Sequence, residues 1–121
     1  MRTLPDRITI IQLPSGKVNV DGHGYLTDPA DWNDEFVAHI AAVEQIELTP
    51  LHHDVITFIR GYLDEHSITA DARFVLKFLA EHQGLNKSAA KRLLFELFPY
   101  GYVQQACKIA GMKQPRAWST G

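Results

Sequence analysis

Thr49-Pro50, followed by Leu51, Val55, Phe58, Ile59, Tyr62 and Leu63, is the strongest structural instruction in this chain. A threonine side chain accepts from the free amides at a helix start, and proline suits the first helical position, where no N–H is needed. The apolar residues then recur at i, i+4, i+7, i+8, i+11 and i+12, one face of an α-helix. A face that long must be covered, and the rest of the chain offers helices to cover it. Phe36, Val37, Ile40, Ala41 and Val43 share the period behind Asp31 or Asn33 as cap. Phe74, Val75, Phe78 and Leu79 follow a cap at Thr69 and run to Gly84. Ala90, Leu93, Leu94 and Leu97 follow Asn86 or Ser88 and break at Pro99-Tyr100-Gly101. A short fifth helix is predicted from about Val103 to Ala110, stopped by Gly111.

A strand pattern is confined to the N-terminal end. Ile8-Thr9-Ile10-Ile11-Gln12-Leu13 is β-branched and apolar, Pro14-Ser15-Gly16 signals a turn, and Val18-Asn19-Val20 alternates behind it. A lone hairpin is marginal in water, so its apolar side must rest on the helices. The expected fold is mainly α within the α+β range. It is an orthogonal helical bundle of about five helices, with an N-terminal β-hairpin and a helix-turn-helix-like pair. Residues 112–121 have little to bury and are expected to form a C-terminal arm on a single domain spanning 1–121.

A chain of 121 residues is large enough to bury a core without covalent staples. No apolar run approaches the ~20 residues of a membrane span, and Asp6 and Arg7 interrupt the N-terminus before a signal-peptide core forms. The expectation is a cytoplasmic protein without membrane contact. A net charge of −2 supplies no global basic field for nucleic acid, so contact with DNA would have to come from a local patch. The six histidines fit no metal-ligand template: His52 and His53 are adjacent and diverge on a helix, and neither His-Glu-x-x-His nor Cys-x-x-Cys occurs. No metal or cofactor is expected.

Three features could carry chemistry. Cys107 is the only cysteine, so it cannot close a disulfide within its own chain. Val103, Ala106, Cys107 and Ala110 form a helical stripe that makes it a small buried hydrophobe. Against that, Lys108, Lys113 and Arg116 are cations near enough in sequence to favour a reactive thiolate. The second feature is the arm, where Lys113, Pro115, Arg116 and Trp118 combine a planar cation with a large aromatic anchor, the residue types that dominate protein interfaces. Trp118 either packs on its own domain or enters a partner. The third is the helix pair around Gly84. Ala80, Gly84 and Ala90 fit a helix-turn-helix, and Lys87, Lys91 and Arg92 on its second helix could meet phosphates, although the same spacing suits any tight helical hairpin.

The order of several short motifs resembles the DsrC/TusE family of small sulfur-relay proteins, which includes the gamma subunit of dissimilatory sulfite reductase. The matching pieces are Asp21-Gly22-His23-Gly24-Tyr25-Leu26 with Asp31-Trp32-Asn33, and Ile46-Glu47-Leu48-Thr49-Pro50-Leu51-His52-His53-Asp54-Val55-Ile56. Phe58-Ile59-Arg60, Arg73, Leu97-Phe98-Pro99-Tyr100-Gly101 and Gln105-Ala106-Cys107-Lys108-Ile109-Ala110-Gly111-Met112 complete them, so the resemblance covers roughly residues 18–115. It implies a sulfur-relay role with persulfide chemistry at a cysteine. The implied partners are sulfurtransferases of the TusBCD/DsrEFH type or a sulfite reductase, in pathways that include tRNA thiolation. The family carries its principal thiol next to last on the arm; counting on from Cys107, that position is Trp118 here. The sequence keeps the cysteine that partners the carrier in the sulfite-reducing branch and lacks the carrier itself. Tyr102 also stands where the family usually has proline. Two readings therefore stand: relay through Cys107, or a non-catalytic regulatory member that docks by its arm, in the manner of a plug, or contacts DNA through the helix-turn-helix-like pair.

Overall fold

The computed structural model describes residues 8–114. The chain opens with a hairpin of β1 (Thr9–Leu13) and β2 (Gly16–Val20), antiparallel with Thr9 opposite Val20 and Leu13 opposite Gly16. Leu13, Val18 and Val20 point into the core while Ile10 stays exposed, the alternation of a strand pair with one covered face. Four α-helices follow: α1 (Asp34–Val43), α2 (Pro50–His66), α3 (Ala72–Gln83) and α4 (Lys87–Leu97). A six-residue π-helix, Tyr102–Cys107, completes the set of five helices around the core. Mainly helical architecture with an N-terminal hairpin is therefore present as expected.

Local chemistry sets the boundaries. Asn33 caps α1 by accepting from Phe36 N, and Thr49 caps α2 by accepting from His52 N, with Pro50 in the first turn. Gly84, at φ +65, ends α3 in the left-handed conformation that glycine adopts without strain, and Asn86 caps α4. α3 differs from expectation at its start: Asp71, not Thr69, supplies the cap, because its carboxylate accepts from Arg73 N.

The core is built from one side of each element. Phe36, Ile40, Val55, Ile59, Val75 and Leu79 are all buried. Several residues placed inward by their spacing are not. Val43 is exposed although Ile40 and Ala41 in the same last turn of α1 are buried. Phe74 is exposed, and Phe58 and Phe78 are only half-buried, because they lie at the open edge between α2 and α3. The C-terminal boundary differs too. Met112, expected at the start of the arm, is fully buried in the core, and Lys113 after it is exposed.

Candidate functional site

Everything that makes the Cys107 region distinctive follows from how α4 stops. Phe98 leaves helical geometry before Pro99, and Gly101 turns the chain at φ +109, a backbone state open to glycine and hard for other residues. The next six residues wind as a π-helix, wider than an α-turn, instead of the α-helix expected from their periodicity. Such turns are uncommon and need side-chain support from outside. Here support comes from three directions.

Tyr25 donates its hydroxyl to Val103 O at 3.1 Å. Trp32 Nε1 donates to Ile109 O at 2.9 Å, and Arg60 Nη1 donates to both Ala110 O and Pro29 O at 3.1 Å. The Arg60 guanidinium also lies 4.5 Å from the centre of the Trp32 ring, a cation–π contact that makes one clamp of the two donors. From α1, Glu44 accepts from Gln105 Nε2 at 3.1 Å and pairs with Lys108 Nζ at 3.5 Å. Gly111 closes the segment at φ +79 against the Trp32 side chain, so close that a Cβ would sit 2.5 Å from Trp32 Cδ1. Two constraints therefore demand glycine at that position.

Cys107 sits at the centre with no exposed surface. Burial pushes its thiol up to about 12; the Tyr102 hydroxyl beside it offsets this only in part. The thiolate, the nucleophilic form, is therefore strongly disfavoured at neutral pH. The Tyr102 side chain is itself buried, its hydroxyl donating to Ala70 O. The same hydroxyl therefore lies between the thiol and the Ala70 carbonyl. Lys108, one of the cations expected to activate Cys107, turns away: its ammonium pairs with Glu44 and lies 5.2 Å from the Tyr25 ring centre. Of the two alternatives the sequence left open, the buried one agrees with the desolvation of the thiol, and Lys108 is engaged with Glu44.

The remaining expected site residues are not brought to the thiol. Lys113 is exposed, and Pro115, Arg116 and Trp118 lie outside the described residues. Lys87, Lys91 and Arg92 are exposed along α4; Lys91 borders a hollow of about 260 Å³ shared with Phe98 and Tyr102. Among the described residues no group of three or more His, Cys, Asp or Glu side chains is placed to hold a metal ion. No described helix is long and apolar enough to cross a membrane.

One residue that matters to the site was passed over as a histidine without a metal template. His52 is buried, and its Nδ1 accepts from Thr49 N at 3.0 Å, which leaves Nε2 to carry the proton and donate to Leu97 O at 2.8 Å. Its ring meets Phe98 edge-on at 5.1 Å. Burial lowers its pKa, with the bond to Leu97 opposing, so the ring stays neutral and pins the end of α4 to the start of α2. The sequence signal was the capping box: Thr49 followed three residues later by a side chain able to return the bond.

The fold is thus a small helical domain with an N-terminal hairpin, closed by a glycine-bounded turn around a buried cysteine. Residues 12–117 match the family model described as DsrC like protein, and the chain belongs to that family. It is 38% identical over 99 residues to the sulfurtransferase TusE homolog of Haemophilus influenzae, covering 82% of this chain and 90% of the relative. Identity to sulfurtransferase TusE of Buchnera aphidicola subsp. Schizaphis graminum is 42% over 99 residues, 82% of this chain and 86% of the relative. Among solved structures, DsrC of Allochromatium vinosum superposes with a TM-score of 0.80 at 32% identity, covering 92% of this chain and 98% of that one. The oxidized gamma subunit of dissimilatory sulfite reductase (DsrC) from Archaeoglobus fulgidus gives 0.79 at 25% identity, covering 90% and 98%.

Proposed function

We propose that this chain serves a sulfur-relay system as a docking member rather than as a sulfur carrier. Relatives named as TusE sulfurtransferases and as DsrC support the system; the burial of Cys107 supports the role within it. A carrier thiol must reach a donor persulfide and then an acceptor, and it must be a thiolate when it does so. Cys107 meets neither requirement in the folded protein, and the carrier position of the family is Trp118. In this reading Cys107 is a core group, and contact with a partner is made by Lys113, Pro115, Arg116 and Trp118. The partner is a sulfurtransferase of the TusBCD/DsrEFH type or a sulfite reductase, and the chain occupies the partner's sulfur-accepting cleft without removing sulfur from it.

The test uses a persulfide-loaded TusBCD-type complex mixed with the full chain, with Cys107→Ser and with a chain ending at Gln114. The expected result is a complex with the full chain and with Cys107→Ser alike, at least tenfold weaker binding for the shortened chain, and no added sulfur on Cys107 by intact mass. A one-sulfur mass gain on the native chain that vanishes in Cys107→Ser would return the protein to the carriers.

A further inference from the structure

On the side of the molecule formed by α2 and α3, four aromatic rings line an open groove of about 430 Å³. Phe58 stacks on Phe78 with centroids 4.7 Å apart, and Tyr62 on Phe74 at 5.4 Å. Since the α2 number rises as the α3 number falls, the helices run antiparallel and the two ring pairs form successive rungs. None of the four is fully buried, and Phe74 is 41% exposed. Aromatic rings left open at this density are the material of binding surfaces, where they bury large area at low entropic cost.

A second observation points the same way. Gly61 lies inside α2 and lines the same groove; a Cβ added there meets no atom within 4 Å. Glycine within a helix costs about 1 kcal/mol relative to alanine, and here neither backbone angle nor a neighbouring side chain asks for it. Its effect is to leave the groove wall low beside Tyr62, room that no part of the described chain uses.

The charges at the groove decide what fits. Glu65 stands one turn beyond the Tyr62–Phe74 rung and Glu81 one turn beyond the Phe58–Phe78 rung, both exposed. At 1.5 Å per residue the two carboxylates are about 15 Å apart along the groove. Lys77 lies between Phe74 and Phe78 in sequence and adds one cation near the middle. The groove thus carries a carboxylate at each end and rings between, with Lys77 at mid-length and His66 beside Glu65; the Arg73 guanidinium, 5.7 Å from the Phe74 ring centre, is paired with Asp71. We propose that this groove docks an amphipathic helix of a partner protein, its apolar face on the four rings and a basic residue at each end, about ten residues apart, opposite Glu65 and Glu81. The helix-in-groove mode supplies the geometry, and the end charges set the partner's register. This surface is separate from the Cys107 segment and does not depend on whether that thiol carries sulfur.

The probe is a synthetic helical peptide of about 14 residues with a Leu/Trp face and lysine at each end. Its twin has glutamate at those two positions. Titration of each into the full chain, followed by amide chemical shifts, should show the lysine peptide binding at least tenfold more tightly, with shifts centred on Phe58, Gly61, Tyr62, Phe74 and Phe78. Raising salt should narrow the difference. Gly61→Leu should lower the affinity tenfold or more with no fall in melting temperature, since leucine is the better helix former and has open space. Equal affinity for the two peptides, no binding by either, or unchanged affinity in Gly61→Leu would overturn the proposal. So would displacement of the peptide by a synthetic segment of residues 113–121, which assigns the groove to the chain's own C-terminus. Self-association abolished by Phe74→Ser would likewise overturn it, assigning the groove to a second copy.

Discussion

The Cys107 turn and the α2–α3 groove are both built from apolar residues at helical spacing, yet one is sealed and the other open. Ala106, Cys107 and Ala110 have no exposed surface, whereas Phe74 is 41% exposed and Phe58, Tyr62 and Phe78 are only half-covered. The small residues sit where Tyr25, Trp32, Arg60 and Glu44 reach in from three elements and fasten the backbone. The large ones sit where two antiparallel helices meet at the surface and, among the described residues, remain only partly covered. Periodicity says which residues share a face; what covers that face is decided by other parts of the chain.

The largest effect that sharpens this contrast comes from two neighbours on α2. Ile59 is fully buried, so Ile59→Ala should cost about 2–5 kcal/mol in urea unfolding, by lost transfer energy and the cavity left behind. Phe58→Ala removes more atoms but from the open groove, and should cost clearly less. Equal losses would mean that the groove is part of the core. Next is Gly111→Ala, which places a methyl against Trp32 at a positive φ; about 1–3 kcal/mol is expected from the strained backbone alone. The same variant should speed alkylation of Cys107, because the Trp32–Arg60 clamp holds the turn that covers it. A destabilised variant with an unchanged alkylation rate would separate the clamp from the thiol.

Smaller effects come from pH. Cys107 has a folded pKa near 12 against an ordinary value of 9.0, so the unfolded chain loses this proton first. Its contribution is intact below pH 9 and is lost as pH rises toward 12. Tyr25, raised from 10.0 to about 12 chiefly by burial, adds to the same decline. Cys107→Ala should therefore show a shallower alkaline loss of stability than the parent, read from urea midpoints between pH 8 and 11. Identical slopes would mean that the thiol is exposed. On the acid side His52 works with the opposite sign. Its folded pKa lies below 6.5, so stability is intact above that value and falls as the unfolded chain takes up a proton the buried ring refuses. His52→Gln should flatten that part of the acid limb.

How much was legible beforehand divides along the same line. Thr49-Pro50, Asn33, Gly84 and Asn86 act locally, through bonds to residues two to four positions away, and each boundary they mark is where the sequence placed it. The Val103–Ala110 stripe correctly put Cys107 on an inward face, while the nearby lysines argued for activation. Burial decides between them, and the pairing of Lys108 with Glu44, two residues far apart in sequence, leaves no mark on local spacing. The π-helical turn was hidden for the same reason: it is held by Tyr25, Trp32 and Arg60 from distant segments. The tight fit of Gly111 on Trp32 explains why two motifs far apart in the chain occur together.

Thiol reactivity of the intact chain tests most directly whether Cys107 is a core group, as the docking role we propose requires. Alkylation of native protein is followed by intact mass at pH 7.5 to 9.5 and again across a urea series, with Cys107→Ser as the blank. The account predicts a native rate at least a hundredfold below that of a free model thiol, rising only as the protein unfolds. Rapid modification of the fully folded chain, with a pH midpoint at or below the ordinary thiol value, would contradict it and make Cys107 a working nucleophile.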